Sequence, residues 1–378
     1  MDLSAVSVSV GLQCAASIAL PLAIGIGTGH DRAAGWGAVG AFLTDMAMDQ
    51  PERRFRARVV AVAAVFVALG GFLGALSGIE GWVIYPLAGI WALASGLLAA
   101  VSARAALIGV SSATALLYAA SFQISTAESA RAGVWMLASG LGAAAIGWVV
   151  TALTSSRGPG TSGPGTSGPG TSGPGTSGPG TGDTGGELYG LPWARRAWAT
   201  LRHNLRAGPA FVHHALRLAT VTEAATVLYR LLSTTDGFWI PEAALFIGRP
   251  DAAATRRRSV LRVAGSAVGV TLTTLVLVAL DPSPAGLAGI SVVAGAVAFA
   301  VHRVNFGLYV VFVTVLFVLL TAFGGVPESH AVIQRLAFNV LGAALAVAAL
   351  RLWPTPGVVP APEPPPPVAP GPAPDQGS

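Results

Sequence analysis

Ten apolar stretches of roughly membrane-crossing length decide what this chain can become. They occupy residues 3–27, 57–79, 81–101, 105–124 and 132–153 in the first half, and 215–232, 260–280, 285–301, 306–323 and 331–353 in the second. A hydrocarbon core about 30 Å thick is crossed by roughly 20 apolar residues of helix. A helix also satisfies its own backbone polar groups in lipid, which an isolated strand cannot. A shorter apolar run holds second place in each half, at 33–48 and 237–247, making six segments per half. Composition closes off the soluble alternative. Only 10% of the 378 residues are charged and 53% are hydrophobic, with a mean hydropathy of +0.66. Soluble domains carry about 25% charged residues. The sequence therefore predicts an all-α polytopic membrane protein of about twelve transmembrane helices.

The reactive side chains are as telling by their scarcity. All 22 basic residues are arginine, and lysine is absent. That excludes a phosphate-binding loop with its lysine, a kinase-type nucleotide site and Schiff-base chemistry. One cysteine, Cys14, lies inside an apolar run, so neither a disulfide nor a cysteine zinc site is available. No basic stretch precedes the first apolar run, which is expected to be an uncleaved span.

Five segments follow from composition. Residues 1–154 form the first six-helix half and 212–354 the second. Residues 155–187 are a linker built on GPGTS, repeated four times over 158–177; Gly and Pro at that density permit neither helix nor strand. In 188–211, Trp193, Trp198 and Leu201 are set against Arg195, Arg196, Arg202 and Arg206. That pattern reads either as an amphipathic helix on an anionic leaflet or as a basic flank that fixes topology. Residues 355–378 are a Pro-rich tail, expected to be extended and disordered.

Arginine placement gives an orientation. With twelve spans, seventeen arginines fall on the face that carries the linker and both termini, and four on the other. Arg217 falls inside a span. By the positive-inside rule the linker and termini are cytoplasmic, and the protein is a multi-pass protein of the cell membrane. The halves read as repeats. Trp36 precedes Arg53-Arg54 by 17 residues, and Trp239 precedes Arg256-Arg257 by 17. Six spans per half give both copies the same orientation, related by an axis along the membrane normal.

The second half resembles the fusaric acid resistance (FUSC-like) membrane domain of the aromatic acid exporter family. The matching features are Arg217, Gly237-Phe238-Trp239, Pro250-Asp251, Thr255-Arg256-Arg257 and Arg262 followed by Gly265 and Gly269. Further on they are Arg303-Val304-Asn305-Phe306, Thr314, Arg335, Gly342 and Leu352-Trp353-Pro354. The resemblance covers 212–354 well and 3–153 more loosely. It departs where Phe338-Asn339 replaces an Asp-Thr pair, and where the GPGTS linker replaces a folded cytoplasmic domain. The resemblance implies export of aromatic carboxylates and similar organic anions; related plant proteins are organic-anion channels.

Charge inside lipid is costly, by about 2.5–3.5 kcal/mol on insertion scales, so each intramembrane ionisable residue is informative. Glu223 lies mid-span with Thr220 and Thr226 three residues to either side, a candidate proton carrier or pathway acid. Alternatively it is a neutralised packing residue. Arg217 is a candidate carboxylate ligand, because a guanidinium donates two parallel hydrogen bonds; Arg230 reads more as a residue reaching the interface. Trp36 with Asp45, and Trp239 with Glu242, put an indole and an acid on each short second span, where repeat transporters build their sites. An interfacial tryptophan belt is the alternative for Trp239. Arg53, Arg54, Arg256, Arg257 and Arg258 read as lipid-facing topology residues. Gly70, Gly71 and Gly74, and Gly265 and Gly269, read as sites of close helix packing. His203, His213 and His214 are juxtamembrane with no acid cluster beside them, so no metal site is expected.

The expectation is a non-enzymatic transporter, an exporter of aromatic or other small organic anions coupled to protons. It is expected to need no cofactor and to bind no nucleic acid. Its partners are the substrate anion and the bilayer, with self-association left open. The alternatives are a passive organic-anion channel and a non-transporting membrane scaffold.

Overall fold

The computed structural model describes residues 6–48, 56–79, 81–122, 124–155, 191–207, 210–232, 237–249, 252–323 and 328–354. Arg53, Arg54, Pro250, Asp251, the GPGTS linker and the Pro-rich tail lie outside the described residues.

Every regular element among the described residues is helical. The first half comprises α1 (Val8–Gly27), α2 (Asp31–Asp45) with a terminal 3₁₀ turn (Met46–Met48), α3 (Arg56–Ile79), α4 (Ile84–Leu98), α5 (Ala103–Ala120) and α6 (Thr126–Ser155). Next comes α7 (Leu191–Ala207), on the predicted amphipathic segment. The second half comprises α8 (Ala210–Leu231), α9 (Trp239–Ile247), α10 (Ala252–Leu280), α11 (Pro284–Val301), α12 (Phe306–Phe323) and α13 (Glu328–Leu352).

Local chemistry sets the ends. Ser102 caps α5 by accepting from the Ala105 amide at 3.1 Å. Ser283 caps α11 ahead of Pro284, whose missing N–H costs nothing at a helix start. The Asn305 side chain accepts from the amides of Gly307 (2.8 Å) and Leu308 (3.2 Å) at the start of α12. Gly29 and Gly81 take positive φ, +71° and +54°, in the turns between α1 and α2 and between α3 and α4.

Among the described residues seven helices, α1, α3, α5, α6, α10, α11 and α13, are long and apolar enough to cross a membrane; α4 and α12 are shorter apolar helices. Their outer faces carry exposed Val65, Ile90, Val134, Trp148, Val260 and Val278. A surface of that kind suits lipid and not water. The chain is a polytopic helical membrane protein. The two short second helices differ from the other members of their sets. α9 has nine residues and rises only about 13 Å as helix, less than half the hydrocarbon thickness. Both α2 and α9 are buried over nearly their whole length.

Packing repeats between the halves. The third helix of each half packs on its fifth and sixth, α3 on α5 and α6, α10 on α12 and α13. The second packs on the sixth, α2 on α6 and α9 on α13. The first helix of each half packs on the fourth of the other, α1 on α11 and α8 on α4, so the halves exchange a helix. The predicted glycines sit at these crossings. A Cβ on Gly70 or Gly74 would strike the carbonyls of Ser112 or Leu116 in α5. On Gly265 or Gly269 it would lie 2.6 Å from the carbonyls of Gly307 or Val311 in α12. Small residues let the backbones approach this closely.

Candidate functional site

The halves meet through edge-to-face aromatic rings. Trp36 on α2 packs on Tyr118 (5.5 Å between centroids) and Phe122 (4.8 Å) of α5 and the turn after it. Trp239 on α9 lies tilted against Phe238 (4.1 Å) and edge-on to Phe317 of α12 (5.8 Å). Tyr118 bridges the two groups through Phe238 at 5.5 Å. Trp36 and Trp239 are thus buried core residues, and neither belongs to an interfacial belt.

Beside this core lies an ionic network that the sequence concealed. Glu242 of α9 is ion-paired with Arg262 of α10, the two side chains only 4% and 7% exposed. Arg262 Nε also donates to Asn339 Oδ1 of α13 at 3.0 Å, and Asn339 Nδ2 donates to the Arg335 carbonyl at 2.9 Å. The Arg335 guanidinium lies 3.5 Å over the Trp239 ring, and that of Arg262 lies 5.3 Å over Phe246. Stacking on an indole face stabilises a desolvated guanidinium by about 2 kcal/mol. The positive-inside count takes Arg262 and Arg335 as flanks at span ends; both are instead buried among helices. Charge alone does not distinguish an arginine flanking a span from one rotated into the core, since both lie near a span end.

Next to the network, with Phe246 shared between them, a cavity of about 140 Å³ separates the halves. Its walls include Met46 after α2, Val110 of α5, Phe246 of α9, Arg249, Arg258 of α10, and Phe299, His302, Phe306 and Tyr309 from α11 and α12. Arg249 is pinned by its backbone: its amide donates to Thr255 Oγ1 at 3.1 Å, and its carbonyl accepts from Arg217 Nη2 at 2.6 Å. Its Nε is buried with no hydrogen-bond partner among the described residues. Burial first, then the neighbouring Arg258, brings the Arg249 pKa down to about 10, which leaves it charged at neutral pH. The Arg258 guanidinium lies 4.6 Å over the Phe306 ring. Arg258 was expected to face lipid beside Arg256 and Arg257; those two are exposed, whereas Arg258 turns into the cavity.

The remaining predicted residues scatter. Arg217 is buried and spends its guanidinium on the carbonyls of Arg249 and Trp353 (3.3 Å), joining α8, the α9–α10 turn and the end of α13. Glu223 is exposed on another side of α8, against Gly89 of α4, so the two are not brought together. Thr226, expected on the face of Glu223, is buried and donates to the Thr222 carbonyl at 2.7 Å. Arg230 donates to the Gly81 carbonyl at 2.9 Å. Asp45 closes α2 beside Met46 of the cavity wall, fully buried next to Cys14 and Ser17. Neither of its oxygens has a hydrogen-bond partner among the described residues; the Ser17 hydroxyl is given to the Gln13 carbonyl at 3.0 Å.

Together these define a class: a polytopic helical membrane protein of two helix-exchanging halves, with buried arginine chemistry concentrated in the second. Residues 224–349 match the model of the fusaric acid resistance protein-like family, a third of the chain and most of its second half. The inner membrane protein YccS of Escherichia coli is 30% identical over 159 residues, 42% of this chain and 22% of its own length. An uncharacterized Synechocystis protein is 28% identical over 158 residues, again 42% of this chain and 20% of its own length. Uncharacterized protein ORF2 of Neisseria gonorrhoeae is 28% identical over 161 residues, 42% of this chain and 38% of its own. The matched region thus spans between a fifth and about two fifths of these relatives. No solved structure matches the chain.

Proposed function

We propose that this chain is a membrane transporter that exports aromatic or other small organic anions, and that the anion binds in the cavity between the halves. The observation that carries the reading is Arg249, a buried guanidinium with an unused Nε on the wall of a cavity rich in aromatic rings. A carboxylate would satisfy that donor, with Arg258 as second cation, while Phe246, Phe299 and Phe306 offer faces to an apolar or aromatic body. The cavity lies at the end of the bundle that carries the exposed arginines Arg256 and Arg257. With the positive-inside rule this end is cytoplasmic, as are both termini and the linker. The inner membrane relative fits this location. Export from that side is coupled to protons through Asp45, the buried acid beside Met46. Glu242, the other acid on a short second helix, is already committed to Arg262. No bond is made or broken in this cycle.

The test is flux of benzoate from proteoliposomes holding only the purified full chain, with and without a pH gradient. Arg249→Gln should weaken benzoate by about 1.5–3 kcal/mol, a charge-assisted hydrogen bond, and Lys should restore it in part because a point charge lacks the fork. Unchanged affinity in both variants sinks the cavity as the site. Gradient-independent flux that Asp45→Asn leaves intact makes the chain a passive channel, and no flux of any organic anion makes it a scaffold.

A further inference from the structure

We propose that α7 is an anionic-lipid anchor, docking on the headgroups of acidic phospholipids at the arginine-rich end of the bundle. Residues 188–211 contain four arginines and no acid, so no residue within the segment neutralises its charge. Along the described part of α7, Leu201, Asn204 and Leu205 are half-buried and turned to the body of the protein. Trp198, Arg202 and Arg206 recur every four residues on the exposed face, with Trp198 62% exposed and His203 beside them. A large exposed indole in register with guanidinium groups is costly in water and suited to the headgroup region, where the ring meets the acyl boundary and the cations meet phosphate.

A second observation fixes where this face sits. Asn204 Nδ2 donates to the Ala100 carbonyl at 2.6 Å, in the turn that Ser102 converts into the start of α5. α5 lines the cavity through Ala106, Leu107 and Val110, and α10 brings Arg258 to the same cavity from its N-terminal end, where Arg256 and Arg257 are exposed. The exposed arginines of α7 and α10 therefore lie at one end of the molecule. A leaflet carrying negative charge is the partner of matching chemistry and extent.

The experiment uses the full chain with Cys14→Ser and Ala199→Cys, the latter on the exposed side of α7, labelled with a polarity-sensitive fluorophore. It is reconstituted in nanodiscs of phosphatidylcholine alone or mixed with phosphatidylglycerol. The expected result is a blue-shifted emission, quenched by headgroup-level nitroxide lipid, in the phosphatidylglycerol discs only, and reversed by high salt. Arg195, Arg196, Arg202 and Arg206 replaced together by Gln should abolish that shift while the thermal unfolding of the bundle stays unchanged. Identical emission in both lipids, or a shift that survives the four substitutions, overturns the proposal. The readout is independent of transport, so it stands or falls apart from the cavity reading.

Discussion

Glu242, Arg262 and Asn339 supply the sharpest quantitative expectation. The ion pair joins side chains 4% and 7% exposed, so removing one partner strands the other in a medium that cannot solvate it. Breaking a buried pair in this way costs about 3–5 kcal/mol. Glu242→Gln leaves Arg262 with Asn339 and the Phe246 ring as its described neighbours, and Arg262→Gln leaves Glu242 without its cation. Asn339→Ala removes a hydrogen bond to a charged group at 3.0 Å, worth about 1.5–3 kcal/mol. The assay is equilibrium unfolding of the purified protein by SDS in mixed micelles, run as a double-mutant cycle. The double variant should lose at least about 2 kcal/mol less than the two single losses combined, because the second substitution removes a charge the first had already stranded. Additivity within about 0.5 kcal/mol would refute the pair as an energetic unit.

Other outcomes follow from single features. Gly269→Val should destabilise by about 1–3 kcal/mol through overpacking, since even a Cβ there lies 2.6 Å from the Val311 carbonyl. Val268→Ala, one residue away and 57% exposed, should change unfolding by less than about 0.5 kcal/mol in the same titration. Arg217→Gln strips the carbonyls of Arg249 and Trp353 of their shared donor; it should lower stability and also anion affinity by displacing Arg249, and wild-type affinity would show that the two arginines act apart. A cysteine placed in residues 158–177 of a Cys14→Ser chain should resist impermeant thiol reagents in intact cells; labelling from outside would invert the orientation.

What was legible in the sequence was whatever a one-dimensional pattern specifies. Apolar runs of span length gave the helices, because lipid leaves the backbone no other solution. Glycine pairs four residues apart marked helix crossings, and Gly70 with Gly74, and Gly265 with Gly269, do meet neighbouring backbones. The site was less legible for a stated reason. Whether an arginine near a span end faces lipid or core depends on helix rotation, which charge counting ignores. Arg256, Arg257, Arg258 and Arg262 belong to one basic run, yet the first two are exposed, the third lines the cavity and the fourth is buried in an ion pair. Arg217 and Glu223 both read as pathway residues on one span, yet Arg217 is buried and held by backbone carbonyls whereas Glu223 is exposed. The available signal was the Arg335 and Asn339 pair, one turn apart in the last apolar run, where two polar groups share a face with no neighbouring charge.

Matching the two halves by their parallel packing shows what stands in the first half, among the described residues, where the second carries the ion pair. Trp36 meets Phe122, and Trp239 meets Phe317 in the corresponding place. The glycines of the third helices, Gly70 with Gly265 and Gly74 with Gly269, match at a separation of 195 residues, whereas the tryptophans match at 203. The equal 17-residue spacing from tryptophan to arginine pair is therefore not a structural equivalence. Arg53-Arg54 precedes α3, and Arg256-Arg257 lies inside α10. At these separations Glu242 corresponds to Val39 and Arg262 to Val67, both fully buried in the apolar core of the first half. One fold thus carries an ion pair in one copy and two valines in the other. Buried pairs replaced by well-packed apolar residues are often neutral or stabilising by about 1–4 kcal/mol, so Glu242→Val with Arg262→Val should fold at least as well as either single Gln variant. Stability near wild type with anion flux reduced tenfold or more would assign the pair to transport. Full flux at wild-type stability would instead make it a relic of packing and leave the cavity arginines alone with the substrate.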